Sequence, residues 1–155
     1  MHYHIIWTTY GTWLPGDDRG WMLKGDPAVQ PPDPERMAEA HIAMMERFVI
    51  LDKLQQEIAG DTIVAHCCIR KWTLLASVVK TNHVHVVVDA DRDGDEVRDQ
   101  LKAWCSRRLS DHAGVTTPQT KTGGRKRWFT EGAYVRRIET DEYLQEAIRY
   151  VHDQS

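Results

Sequence analysis

The sequence lacks long hydrophobic runs and contains little cysteine. None of its apolar stretches approaches the roughly 20 residues that a membrane-spanning helix needs. The first residues, MHYHIIWTTYG, have neither the basic start nor the apolar segment of a signal peptide. The three cysteines are an odd number, and Cys67 adjoins Cys68, which does not suit a disulfide framework. We therefore expect a cytoplasmic protein without a membrane partner.

The size and composition of the chain favour one folded domain. It has 155 residues, of which 41% are hydrophobic and 28% are charged. A chain of this length can bury a substantial core, and this composition is typical of globular rather than disordered proteins. We expect a single domain that extends over residues 1–155.

Negative charge is in slight excess, but the charges are unevenly distributed. The formal net charge is −3, whereas the segment from Arg98 to Arg137 holds ten basic and three acidic residues. That segment carries +7, which leaves −10 for the rest of the chain. A basic segment in an acidic chain indicates a local site for a polyanion. A solvated helix face followed by a basic loop explains the same pattern equally well.

Apolar residues at helical spacing predict helices in the first half of the chain. One begins at Asp33, an N-cap acid that precedes a proline, and runs to about Glu57. Gly60 separates it from a second helical segment, whose apolar positions include Cys67 and Cys68. We interpret both cysteines as core residues rather than as reactive groups.

Two more helices are predicted in the second half. The first is an amphipathic helix over 95–112, with Gly114 just past its end. The second covers 140–154, with Thr140 as its N-cap and acidic residues in its first turn.

Alternating and β-branched residues predict strands before and between these helices. They cover 3–9, 72–80, 82–89 and part of 128–138, with a tight turn at Thr81 and Asn82. The Gly-, Pro- and Asp-rich stretch 11–32 is predicted as a long loop of unknown role. This order of elements predicts an α+β fold, a ferredoxin-like antiparallel sheet with helices packed on one face.

The strand TNHVHVVVD carries two histidines one residue apart. Successive side chains of a strand point to opposite faces, so His83, His85 and Val87 share one face while Val84, Val86 and Val88 form the core face. Such a pair is more often two surface histidines than a metal site. The sequence also holds a second pair, His2 and His4, and we expect at most one of the two pairs to be functional.

The last predicted helix carries a tyrosine and a glutamine at one-turn spacing. Tyr150 and Gln154 are four residues apart and therefore neighbours on the helix surface, with Tyr143 near the same face. Taken alone, Tyr150 is more simply a packing residue whose hydroxyl reaches the rim of the core.

In combination these features resemble a known family. NHVHVVV, the basic middle segment and the Y-x-x-x-Q of the last helix are similar to the single-tyrosine HUH transposases of the insertion-sequence-200 type, relatives of the REP-associated tyrosine transposases. HUH denotes histidine, bulky hydrophobe, histidine, here His83, Val84 and His85. The resemblance extends from YHII and TYGTWLP through KAWCSRRL to EAIRYVHDQ. It implies an HUH motif on a central strand and a catalytic tyrosine on the C-terminal helix.

The resemblance also implies the chemistry. Tyr150 would be the nucleophile that attacks single-stranded DNA, leaving a 5′-phosphotyrosine and a free 3′-hydroxyl. His83, His85 and Gln154 would bind a divalent metal, Mg²⁺ or Mn²⁺. A phenol has an ordinary pKa of about 10, so it needs positive charge nearby to react at neutral pH. The expected partners are single-stranded DNA with a hairpin and a second copy of the chain in a homodimer.

Basic residues in the middle of the chain are candidates for contacts with the DNA backbone. They are Lys121, Arg125, Lys126 and Arg127, with Arg107 and Arg108 behind them. Trp128 is either a base-stacking residue or a buried strand residue.

Three other functions remain open from the sequence. The first is a non-catalytic module that binds hairpin DNA or RNA, such as a domesticated copy of a transposase. The others are a replication- or relaxase-type nickase and a small zinc hydrolase.

Overall fold

The fold is described from a computed structural model, for residues 1–11, 20–22, 28–43, 48–116 and 127–154. Part of the predicted 11–32 loop and most of the basic loop before Trp128 therefore lie outside the described residues. Within these ranges, none of the helices has the length and apolar character needed to cross a membrane.

Six strands and four helices make up the described part of the chain. In chain order they are β1 (His2–Thr8), β2 (Trp21–Met22), β3 (Val29–Gln30), α1 (Pro34–Ala43), α2 (Lys53–Arg70), β4 (Thr73–Val79), β5 (His83–Asp89), α3 (Gly94–Thr116), β6 (Tyr134–Ile138) and α4 (Asp141–His152).

Four of the strands form one antiparallel sheet in the order β4-β5-β1-β6. β2 and β3 form a separate two-stranded ribbon. The sheet order, with α2 and α3 as crossovers, is ferredoxin-like, which confirms the predicted α+β class and places the HUH strand at the centre. The predicted tight turn is also confirmed, because the Lys80 amide donates to the His83 carbonyl at 2.8 Å.

The main core lies between the sheet and the helices α2 and α3. Val84, Val86 and Val88 of β5 are fully buried there, as the strand alternation predicts. Ile63 of α2 and Leu101 of α3 are also fully buried in this core. Each such side chain contributes about 1.5–3 kcal/mol to folding.

The other face of the sheet is covered by α4, so the prediction that the helices pack on one face is wrong for this helix. Ala147 and Val151 of α4 are buried against Ala76, Val87 and Ile138 of the sheet. The reason is that these strands carry apolar residues on their second face too, and β5 is therefore buried on both sides. This arrangement brings α4 to the face that carries the histidines.

The predicted helix boundary at Gly60 is also wrong. α1 ends at Ala43, and α2 begins at Lys53 and continues through Gly60. A capping box sets this start, since Asp52 accepts from the Gln55 amide at 2.8 Å and the Gln55 side chain accepts from the Asp52 amide at 2.9 Å. A helix start satisfied twice outweighs the modest cost of a glycine inside the helix.

The predicted end of α3 before Gly114 is wrong as well, because the helix continues through Gly114 to Thr116. The start of α4 is as predicted, because the Thr140 side chain accepts from the Tyr143 amide at 3.2 Å. Of the two adjacent cysteines only Cys67 is in the core; Cys68 is exposed.

Candidate active site

β5 places the two HUH histidines on the face of the sheet that α4 covers. Their ring centroids are 5.0 Å apart. His85 is only 5% exposed, whereas His83, at the start of the strand, is partly buried. Val87, two residues further along the same face, is buried against α4 and fixes the distance between helix and strand.

α4 brings Tyr150 and Gln154 to the same place. Burial of Val151 anchors this end of the helix while leaving Tyr150 57% exposed. The Tyr150 ring lies 5.7 Å from the His85 ring, measured between centroids. The helix ends at His152 rather than at Gln154, but Gln154, in the turn that follows, places its Oε1 3.4 Å from His83 Nε2. The structure thus brings together all four residues assigned to the nucleophile and the metal.

The hydrogen bonds of His83 define which of its ring nitrogens is free. Its Nδ1 lies 2.7 Å from Asn82 Oδ1, an acceptor, so Nδ1 carries a proton. The Gln154 amide nitrogen donates to the Tyr150 carbonyl at 3.4 Å, which turns Oε1 toward His83. His83 Nε2 and Gln154 Oε1 therefore face each other across 3.4 Å.

His4 also lies beside the HUH histidines, although no local pattern in the sequence distinguishes the pair of His2 and His4 as functional. In the antiparallel pairing of β1 with β5, His4 lies opposite Val87 and Ile6 lies opposite His85. His4 is therefore the diagonal neighbour of His85 on the same face, and its Nε2 is 3.3 Å from His85 Nδ1. It is 6% exposed, and its ring centroid lies 6.5 Å from that of Tyr150.

Burial keeps these two histidines neutral. It lowers the pKa of His85 to about 4, with further contributions from His83 and His4. Burial also lowers the pKa of His4, and the nearby charge of Arg136 adds to the effect. A neutral imidazole has one nitrogen lone pair available, which is the form that binds metal ions.

Residues of β6 and α4 border the site on the other side of β1. Tyr134 is 41% exposed and meets His4 edge-on, with a centroid distance of 6.3 Å. The Arg136 guanidinium lies 4.3 Å from the centre of the Tyr143 ring. Burial and the neighbouring Tyr134 raise the pKa of Tyr143. Tyr143 thus packs on an arginine, and Tyr150 is the tyrosine that lies beside the histidines.

The donor set decides which kind of metal the site suits. In the part of the chain that the structure describes, no three or more His, Cys, Asp or Glu side chains are grouped to hold a metal ion. The side chains that converge on one point are the imidazoles of His83 and His85 and the amide of Gln154, with His83 Nε2 3.4 Å from Gln154 Oε1. Such a set fits a divalent ion completed by phosphate oxygens and water, and not a closed zinc site.

Three of the predicted DNA-binding residues belong to the described part of the chain, and the two on α3 lie apart from this face. Arg107 and Arg108 are exposed on α3, on the opposite side of the sheet, and Arg127 is exposed just before Trp128. The other three candidates, Lys121, Arg125 and Lys126, lie outside the described residues.

Trp128 belongs to the core. It is 4% exposed, and its indole N–H donates to Ser110 Oγ at 2.9 Å. Of its two sequence-based interpretations, the buried one is confirmed.

Two comparisons give no match: no family model fits the sequence, and no curated protein matches it at a significant level. Among solved structures, a candidate transposase from Deinococcus radiodurans R1 gives a TM-score of 0.48 at 16% identity, over 99% of this chain and 90% of that one. A REP-associated tyrosine transposase bound to a REP hairpin gives a TM-score of 0.53 at 12% identity.

The second match covers 99% of this chain but only 65% of the transposase chain. At this level of identity the likeness concerns the path of the backbone. The central sheet and the helices on its two faces give this chain the fold of a REP-associated tyrosine transposase.

Proposed function

We propose that this chain is a single-tyrosine HUH transposase that cuts and rejoins single-stranded DNA at hairpin-flanked ends. The observation that carries the proposal is the meeting of Tyr150 and Gln154 from α4 with His83 and His85 from β5. These elements are about 70 residues apart in sequence, as the separation of 71 between His83 and Gln154 shows. The shared fold supports the same assignment.

In the proposed reaction Tyr150 is the nucleophile. Its exposed hydroxyl oxygen forms a bond to the phosphorus of a phosphodiester, and the bond from phosphorus to the 3′ oxygen breaks. The phenolic proton leaves to solvent, and the departing oxygen takes up a proton and becomes a free 3′-hydroxyl. In the reverse step a 3′-hydroxyl attacks the phosphotyrosine, so strands are rejoined without an external energy source.

We further propose that His83, His85 and Gln154 hold a divalent ion, Mg²⁺ or Mn²⁺. When bound, such an ion supplies positive charge to the scissile phosphate. The side chains themselves contribute two imidazole nitrogens from β5 and an amide oxygen from the turn after α4.

Recognition of the DNA hairpin would use a different part of the molecule. The exposed Arg107, Arg108 and Arg127 lie away from Tyr150 and are suited to backbone contacts with a duplex beside the cleaved strand. We also propose a homodimer, which light scattering on the purified protein would test.

A covalent-adduct assay tests the proposal. A labelled single-stranded oligonucleotide with the hairpin that flanks the gene is incubated with protein and Mg²⁺ or Mn²⁺, then separated on a denaturing gel. We expect an adduct with the wild type that is lost in Tyr150→Phe, in His83→Ala and with a chelator. Tyr143→Phe is the matched control and should keep the adduct, because Tyr143 packs on Arg136.

The other outcomes separate the alternatives. An adduct that survives Tyr150→Phe but disappears in Tyr143→Phe would assign the chemistry to the wrong tyrosine. No adduct, but a clear band shift of the hairpin in chelator, would make the protein a non-catalytic binding module.

A further inference from the structure

We infer that Asn82 and His4 are positioning residues, each accepting the Nδ1 proton of one HUH histidine and so leaving the Nε2 lone pair of that histidine free. The inference rests on the proposed function in one respect, namely that the free nitrogens serve a metal ion. For His83 the position of the proton follows from the hydrogen bond to Asn82, whereas for His85 it follows from the proposed metal binding.

The role of Asn82 follows from its contact with His83. An asparagine oxygen accepts hydrogen bonds only, so the 2.7 Å contact requires the proton on His83 Nδ1. The backbone of Asn82 is held as well, because its carbonyl accepts from the Thr9 amide at 2.9 Å and from the Thr9 hydroxyl at 3.3 Å. The side chain therefore reaches His83 from an anchored turn.

The role of His4 follows from the geometry at His85. A neutral imidazole carries one ring proton, and the 3.3 Å contact between His4 Nε2 and His85 Nδ1 holds one proton between them. If His85 donates it, His85 Nε2 has the lone pair and can bind a cation. If His4 donates this proton, the proton of the neutral His85 ring is on Nε2, and Nε2 cannot bind a cation. A metal-binding His85 thus needs His4 as the acceptor.

His4 is held firmly enough for this task. It lies in the middle of β1, which is hydrogen-bonded to β5 on one side and β6 on the other. The ring is 6% exposed, so water has little access to compete for the same hydrogen bond. Partners that fix the outer nitrogen of a metal-binding histidine typically change metal affinity or activity by about 10–100-fold when they are removed.

Mn²⁺ affinity of the full chain, measured by titration calorimetry, provides the first test. We expect His4→Phe and Asn82→Ala to weaken binding by about 10–100-fold. His4→Gln and Asn82→Asp keep an acceptor in place and should restore most of the affinity.

His2→Phe is the matched control. His2 lies on the same strand and the same face but pairs with Asp89, at 3.7 Å, so its removal should leave Mn²⁺ binding unchanged. Thermal unfolding of each variant identifies any loss of binding that comes from a loss of folding. Wild-type affinity in His4→Phe would overturn the role of His4, and wild-type affinity in Asn82→Ala that of Asn82.

A second readout needs no metal. Long-range ¹H–¹⁵N spectra of the histidine rings report which nitrogen carries the proton, and we expect Nδ1 for both His83 and His85. Nδ1 protonation without Mn²⁺ binding or a DNA adduct would leave the positioning inference standing and sink the proposed function. A Tyr150 adduct formed by a protein whose His85 is protonated on Nε2 would support the proposed function and overturn the positioning inference for His4.

Discussion

The packing of α3 against the sheet predicts opposite effects for two glycine-to-alanine substitutions. Gly94 opens α3, and a Cβ placed there would lie 2.6 Å from Val135 Cγ1 and 2.9 Å from two ring carbons of Tyr3. The Tyr3 ring cannot easily withdraw, because it is 4% exposed and its hydroxyl donates to the Arg92 carbonyl at 2.9 Å. Gly60, inside α2, differs in that its nearest contact would be Val79 Cγ2 at 3.9 Å.

The expected magnitudes follow from these distances. Forcing an extra carbon into a packed site costs about 1–3 kcal/mol. For a chain of 155 residues each kcal/mol shifts the melting temperature by about 2–4 °C, so Gly94→Ala should lower it by about 2–12 °C. Gly60→Ala meets only ordinary van der Waals contact and gains about 0.5–1 kcal/mol of helix stability, a rise of about 1–4 °C.

Far-ultraviolet circular dichroism, followed during thermal and urea unfolding of both variants and the wild type, measures these shifts. Gly94→Ala with wild-type or higher stability would refute the close approach of α3 to β1 and β6. Equal losses of stability in both variants would show that replacing the glycine backbone, and not the distance from the new Cβ to its neighbours, determines the change in stability.

Three further predictions concern pH, the α4 cap and the half-buried Lys102. The pKa of His85 is about 4 in the folded chain, whereas an unfolded histidine has a pKa of about 6.5, so between these pH values the unfolded chain binds the extra proton. In the presence of a chelator, the free energy of unfolding should therefore fall as the pH is lowered from about 6.5 to about 4, by at most about 3 kcal/mol. Urea unfolding at several pH values should show this decrease, and His85→Gln should reduce it. Thr140→Ala should cost about 1 kcal/mol of stability and lower the adduct yield, since α4 carries the proposed nucleophile, while Thr140→Ser should retain both in the same assays. Lys102 Nζ donates to the carbonyls of Thr130 and Gly132, at 2.7 and 2.6 Å, and Lys102→Met removes both hydrogen bonds. Amide hydrogen exchange in the 130–132 segment should therefore accelerate. Unchanged exchange in this segment would contradict the idea that Lys102 anchors it.

The parts of the structure that sequence reasoning predicted depend on local patterns. The alternation of β5 alone separates its histidine face from its valine face, and Thr140 alone satisfies the first turn of α4. The family resemblance then identified Tyr150 and Gln154, which α4 does bring to the histidines.

The parts that it missed depend on contacts between distant segments. His4 and His85 are 81 residues apart, and only the register of β1 against β5 makes them neighbours. A signal was present, because His2 and His4 also alternate on one strand face, but nothing local shows which strand lies alongside. The side on which α4 packs was missed for the same reason, since Val87 had no visible partner in the sequence.

The central position of β1 also has a consequence for how the protein folds. β1 is the first strand in the chain, yet both of its neighbours, β5 at 83–89 and β6 at 134–138, come much later. Pairing between segments this far apart in sequence slows folding. Until β5 and β6 pair with it, an exposed strand as apolar as HYHIIWT is prone to aggregate. The contact between His4 and His85 forms in the same step as the centre of the sheet, so the proposed active site cannot be assembled in a half-folded chain.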